Sequence, residues 1–99
     1  MDIKLINRGQ EGELVLTGRL DSLTSPDAEN IFLQTAERFD RLVLNLADLE
    51  YISSAGLRVI KRLYMAMTKK GGSLTLTNVR KMVMEVFEMT GFVGFLTIK

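Results

Sequence analysis

The feature that most constrains this chain is an alternation of two apolar periods in its middle. "RLVLNL", residues 41 to 46, is a near-continuous run of β-type residues. Leu57, Ile60, Leu63, Tyr64 and Met67 then recur at three- and four-residue steps, the spacing of one buried helix face. "SLTLTNV", residues 73 to 79, alternates leucine with hydroxyl residues and reads as a strand again. A strand, a helix and a second strand at this spacing form a parallel pair joined by a right-handed crossover. The continuity of 41 to 46 predicts a strand covered on both faces.

The rest of the chain extends this unit. Ile3 to Asn7 and Glu13 to Arg19 read as two strands around the polar turn Arg8 to Gly12, a connection short enough for an antiparallel hairpin. Ser25 is placed to cap a helix, Pro26 suits its first position, and Asp27 and Glu29 put negative charge at its positive end. Ala28, Ile31, Phe32, Thr35, Ala36 and Phe39 mark the buried face, so a helix is predicted from about Pro26 to Phe39. Ala47 to Glu50 reads as a connection. The second helix runs from Ser54 or Ala55 to Lys69 and stops at Gly71-Gly72. A third, short helix carries Met82, Val83, Val86 and Phe87 and ends at Gly91, before a final strand in "FLTIK". The predicted class is α/β: a small, mostly parallel sheet of four or five strands, with an antiparallel N-terminal hairpin and helices packed against it. One domain accounts for residues 1 to 99.

Composition removes several functions. The chain of 99 residues has no cysteine and no histidine. Thiolate metal sites, disulfides, the commonest general base and the commonest zinc ligand are therefore all missing. The net charge is +1 with acids and bases interspersed, which gives no nucleic-acid footprint. No apolar run approaches the ~20 residues that span a bilayer, and "MDIKLINRGQ" lacks an apolar signal region. These points lead to an expectation of a cytoplasmic protein that is not an enzyme, uses no cofactor or metal, binds no nucleic acid and does not insert in a membrane.

One junction is unusual. "EYISSAGLRVI" sets Ser53-Ser54-Ala55-Gly56 between an apolar pair and the second helix. Unsatisfied N–H groups and the dipole make a helix start partly positive. A serine there can simply cap the helix. It can also accept phosphate, whose charge of about −1.5 to −2 the helix end tolerates while a docked partner is repelled. Ala55 and Gly56 leave little side chain over the site, so another surface can approach. A serine nucleophile would lack a base, and a phosphate-binding loop would need a Gly-x-x-x-x-Gly-Lys pattern that is not present.

Five segments in order, "VLTGRLDSLTSPDAENIF", "RLVLNLADLE", "YISSAGLRVI", "GGSLTL" and "FEMTGF", resemble the STAS domain of bacterial anti-sigma factor antagonists. The resemblance spans nearly the whole chain. It implies a protein-binding switch. Such an antagonist binds an anti-sigma factor that is also a GHKL-type serine kinase, and so frees a sigma factor. Phosphorylation by the kinase releases it, and a PP2C-type phosphatase resets it. Carried onto this chain, the phosphoacceptor falls on Ser54, with Ser53 as the alternative. The partner surface falls on Asp21, Ser53, Ser54, Ala55, Gly56, Leu57 and Arg58. Ser53 stands where the family commonly has aspartate. STAS domains also serve as adaptor subunits of membrane phospholipid-transport ATPases. In that role Ser54 would be a contact or a cap and stay unmodified.

Overall fold

The computed structural model describes all residues from Met1 to Lys99. Its elements follow the expected order: β1 (Asp2–Arg8), β2 (Glu11–Leu20), α1 (Ser25–Arg38), β3 (Arg41–Ile52), α2 (Ser54–Lys69), β4 (Ser73–Thr77), α3 (Lys81–Met89) and β5 (Thr97–Ile98). A single 3-10 turn, Phe92–Gly94, lies between α3 and β5. The sheet order is β1-β2-β3-β4-β5, with β1 antiparallel to β2 and every other pair parallel.

Each parallel step moves to the next neighbour in the same direction. Right-handed crossovers then place α1, α2 and α3 on one face of the sheet. Burial along β3 agrees. Leu42, Leu44 and Leu46 are buried, whereas Val43, Asn45 and Ala47 are only half-buried. The expectation of a strand covered on both faces is therefore corrected. Periodicity cannot resolve a short apolar run, and Arg41 and Asn45, on one face of it, marked the open side.

A second difference matters more for function. β3 does not stop at Leu46 but continues to Ile52, through residues expected to form a connection. Its pairing with β2 shifts twice. Val15 faces Asn45, Thr17 faces Asp48, Gly18 faces Leu49 and Arg19 faces Tyr51. β3 carries the extra residue at each shift, as in a β-bulge, and this re-aims the strand. Leu49 and Ile52 thereby join the core although Asp48 and Glu50 interrupt the run. The final pair, Leu20 opposite Ile52, brings the end of β2 alongside the start of α2.

The core beneath the helices is one cluster built on Phe32, Phe87 and the strand leucines. Tyr64, Phe95 and Phe92 extend it as a chain of aromatic contacts, with ring centroids 5.0 and 4.9 Å apart. Lys70, one residue past α2, donates its Nζ to the carbonyls of Ala36 (2.7 Å) and Phe39 (3.0 Å). It thus satisfies the C-terminal end of α1, where a cation is also favoured by the dipole. Ser25 proves to be the first residue of α1 and not its cap. It is buried, and its hydroxyl donates to the Asp21 carbonyl. β5 is shorter than "FLTIK", since Phe95 is taken by the preceding turn.

The open face of the sheet carries a polar chain. Glu13 accepts from Arg8 Nη2 at 2.9 Å and from Asn45 Nδ2 at 3.0 Å, and Asn45 in turn accepts from Asn78 Nδ2 at 3.1 Å. The Asn45 hydrogen bond, then that of Arg8, hold the Glu13 carboxyl below its ordinary value against the opposing effect of burial. A depressed carboxylate stabilises the fold fully above its unfolded-state pKa. That contribution is lost as pH falls through the folded-state value. Glu13→Gln should therefore flatten the decline of unfolding free energy with falling pH below about 4.3. The check is urea unfolding at a series of acidic pH values. Equal slopes in the two proteins would show that Glu13 gains nothing from this chain of bonds.

Candidate functional site

The site is set by the junction of β3 and α2. Ser53 has extended backbone angles, φ −101° and ψ 177°, and caps α2. Its N–H donates to the Leu20 carbonyl at 2.9 Å, which pins the helix start to the end of β2. Its hydroxyl accepts the Gly56 N–H at 3.3 Å, and its carbonyl accepts the Leu57 N–H at 2.9 Å. The Ser53 hydroxyl thus satisfies one of the helix's orphan donors, the Gly56 N–H, while its carbonyl takes the first regular bond of the helix. Ser54 is the next residue, the first of α2. It is exposed, and its side chain makes no hydrogen bond within the protein.

The neighbouring residues divide into two groups. Gly56 is buried, and a Cβ built on it would lie 2.7 Å from the Leu20 carbonyl oxygen and 2.9 Å from Ile52 Cγ1. Its smallness lets the chain approach itself. The expectation that Gly56 bares a surface for a partner is corrected. Leu57, only 7% exposed, belongs to the core and likewise offers no contact surface. Both point inward because α2 buries Gly56, Leu57, Val59, Ile60, Leu63 and Met67. Ser54 and Arg58 point outward, and Ala55 is half-buried at the rim. Ala55 and Arg58 border a shallow groove between the first turns of α1 and α2, which Ser22 and Glu29 share, of about 290 Å³.

Asp21 lies at the end of β2, but its carboxylate is turned to its own loop. Oδ1 accepts the N–H groups of Leu23 (3.0 Å) and Thr24 (3.1 Å), while Thr24 Oγ1 accepts the Asp21 N–H at 2.9 Å. This reciprocal pair resembles a capping box. The Thr24 N–H is the main reason that the Asp21 carboxyl sits below its ordinary value, against the opposing effect of burial. Asp21 therefore shapes the 22–24 loop, and its backbone neighbourhood, not a free carboxylate, is what borders the site.

That loop presents Leu23, which is 87% exposed. Sequence reasoning passed over it. The signal was available: Leu23 is a lone apolar residue in a polar turn, claimed by neither the strand nor the helix period. Tyr51 was also missed as a surface feature. It is exposed beside Ser53, with the Arg19 guanidinium 4.3 Å from its ring centroid. The site is thus an exposed hydroxyl at the start of α2, one helical turn before Arg58 and three residues after Tyr51, while Leu23 lines a separate hollow with Met1, Ile3, Asp27 and Ile31.

Chemically, the surroundings suit binding. No group of three or more Asp or Glu side chains is placed to hold a metal ion. α2 carries no acidic residue in its first turn, and none anywhere along "SAGLRVIKRLYMAMTK". A negative charge added at Ser54 would meet a helix start and Arg58 one turn on, and no carboxylate on the same helix. No helix of the protein is long and apolar enough to cross a membrane.

Comparison with known families decides the relationship. The STAS domain model matches residues 4 to 99. The chain belongs to the STAS domain family. Within it, this STAS domain is 36% identical over 80 residues to the candidate anti-sigma factor antagonist BtrV of Bordetella bronchiseptica, covering 77% of this chain and 69% of that protein. It is 29% identical over 83 residues to the anti-sigma-B factor antagonist of Bacillus subtilis, covering 84% and 76%. Among solved structures, the unphosphorylated form of the Bacillus anti-sigma factor antagonist SpoIIAA matches with a TM-score of 0.79 at 14% identity, over 99% of this chain and 87% of that one. Its phosphorylated form matches with a TM-score of 0.78 at 15% identity, over 99% and 91%. These structures show the STAS fold expected from the sequence, a five-stranded mixed sheet with three helices.

Proposed function

We propose that this STAS domain is an anti-sigma factor antagonist: a binding module, not a catalyst, that sequesters an anti-sigma factor and so frees a sigma factor. In this reading the partner is a GHKL-type serine kinase as well as the anti-sigma factor. It transfers the γ-phosphoryl group of ATP to Ser54 Oγ, releases ADP, and loses its grip on the product. A PP2C-type phosphatase restores the hydroxyl.

The observation that carries the reading is the contrast between two adjacent serines. The Ser53 hydroxyl is half-buried and holds the Gly56 N–H. The Ser54 hydroxyl is exposed and free of any bond. Ser53, in the position where aspartate is common, serves as the helix cap, so it does not compete as the acceptor. Two further points support the proposal. The relatives at 36% and 29% identity carry the name of anti-sigma factor antagonist or of a candidate for that role. SpoIIAA has been solved with and without phosphate, and both forms match this chain almost equally, with TM-scores of 0.78 and 0.79. In that protein, phosphate leaves the fold in place.

The test is incubation with the cognate kinase and ATP, followed by intact-mass measurement. The wild-type chain and Ser53→Ala should each gain one phosphate, and Ser54→Ala none. Phosphorylation of Ser54→Ala at the wild-type rate would move the acceptor elsewhere.

A further inference from the structure

Apart from Arg41, at the far end of β3, the other arginines have settled partners. Arg8 binds Glu13, Arg62 binds Glu29, Arg19 stacks on Tyr51, Arg38 lies over Phe39, and Arg80 donates to the Ala47 carbonyl. Arg58 is exposed and has neither an ion pair nor a side-chain hydrogen bond. It stands four residues after Ser54 on the outward stripe of α2. Residues at this spacing are neighbours, with Cβ atoms about 5–6 Å apart. Helical side chains also lean toward the N-terminus, so a residue covers the turn before its own Cα. For Arg58 that turn contains Ser54.

From this juxtaposition we infer that Arg58 is an internal receptor for phosphate on Ser54: once the hydroxyl is phosphorylated, the guanidinium closes onto the phosphoryl oxygens of its own chain. The inference rests on Ser54 as the modified residue and adds the regulation of that site. Guanidinium matches phosphate in geometry and binds it through paired N–H donors. No carboxylate on α2 competes for Arg58. Across the groove, Glu29 is held by Arg62 at 2.6 Å, and Asp21 is held by the N–H groups of its own loop. Lys61 shares the outward stripe but lies two turns from Ser54, about 10 Å along the axis. Arg58 is therefore the one cation on the stripe within reach. The consequence for the switch is twofold. Before modification, Arg58 is available to an acidic group on the partner. After modification, it is withdrawn from the interface in the same event that adds the opposing charge.

The test uses the full chain with phosphoserine placed at position 54 during synthesis, so that no kinase preference enters. The second ionisation of the phosphate, normally near pH 6, is followed by ³¹P NMR. Pairing with Arg58 lowers it. In Arg58→Gln it should rise by about 0.3 unit relative to the unaltered sequence, the scale of one i,i+4 pair with a dianion. Arg58→Lys should fall between the two, and Lys61→Gln should not move it. Added salt should erase most of the difference. An Arg58→Gln value equal to wild type, or an equal shift in Lys61→Gln, overturns the inference. That outcome leaves enzymatic phosphorylation of Ser54 untouched. Conversely, failure of the kinase to modify Ser54 would sink the proposed function without altering the ³¹P result.

Discussion

Gly56→Ala should cost this domain about 2 kcal/mol of stability, although alanine is the better helix former by about 1 kcal/mol. The residue sits in the first turn of α2 without any positive φ, so conformational freedom is not what requires glycine there. Space is. The added methyl would meet the Leu20 carbonyl oxygen at 2.7 Å and Leu20 Cγ and Ile52 Cγ1 at 2.9 Å. The carbonyl cannot retreat freely, because it accepts the Ser53 N–H at 2.9 Å. Overpacking of this kind costs about 1–3 kcal/mol, and loosening that hydrogen bond adds about 1. The strain would also displace the cap beside Ser54, so partner affinity should fall together with stability. Gly94→Ala is the control. A Cβ there meets nothing within 4 Å, and its effect should stay within about 0.5 kcal/mol. Urea unfolding measures both. If Gly56→Ala were as stable as wild type or more so, the close approach of β2 to the α2 start would be wrong.

Ser54→Glu should separate binding from folding. A carboxylate at the first position of a helix is favoured by the dipole, worth a few tenths of a kcal/mol. The melting temperature should therefore hold or rise by up to about 3 °C, and Ser54→Lys should lower it slightly. Affinity for the anti-sigma factor should move the other way. An unpaired charge brought into a protein interface costs about 1–3 kcal/mol, roughly a tenfold to hundredfold loss. Titration calorimetry and thermal melts on the same samples check the two arms. A marked fall in melting temperature would make Ser54 a structural cap. Unchanged affinity would place the interface elsewhere.

Much of this site is legible in the sequence. A helix start at Ser54 or Ala55 followed from the switch between apolar periods, and the order of elements followed from the same signal. The stop signals at Gly71 and Gly91 were also readable, since both adopt positive φ just past a helix. What was hidden depended on contacts between distant segments. The bulges that carry β3 to Ile52 arise from pairing with β2, and residues 47 to 50 on their own look like a loop. The inward role of Gly56 depends on Leu20, which is 36 positions away. The division of labour between Ser53 and Ser54 depends on which hydroxyl faces the helix, and adjacent residues of one type carry no mark of that. Arg58 could be placed one turn from Ser54 by counting. That it lacks a carboxylate partner, while Arg62 has Glu29, required the packing of α1 against α2.

The central claim is that one exposed hydroxyl can take a dianion without disturbing its own domain while expelling the partner. The most direct measurement is affinity for the anti-sigma factor, with melting temperature, on one preparation of the chain before and after enzymatic phosphorylation. At least a tenfold loss of affinity at an unchanged or slightly higher melting temperature is the predicted result. Equal affinity of the two forms, or a phosphorylated form that melts well below the unmodified one, would contradict it.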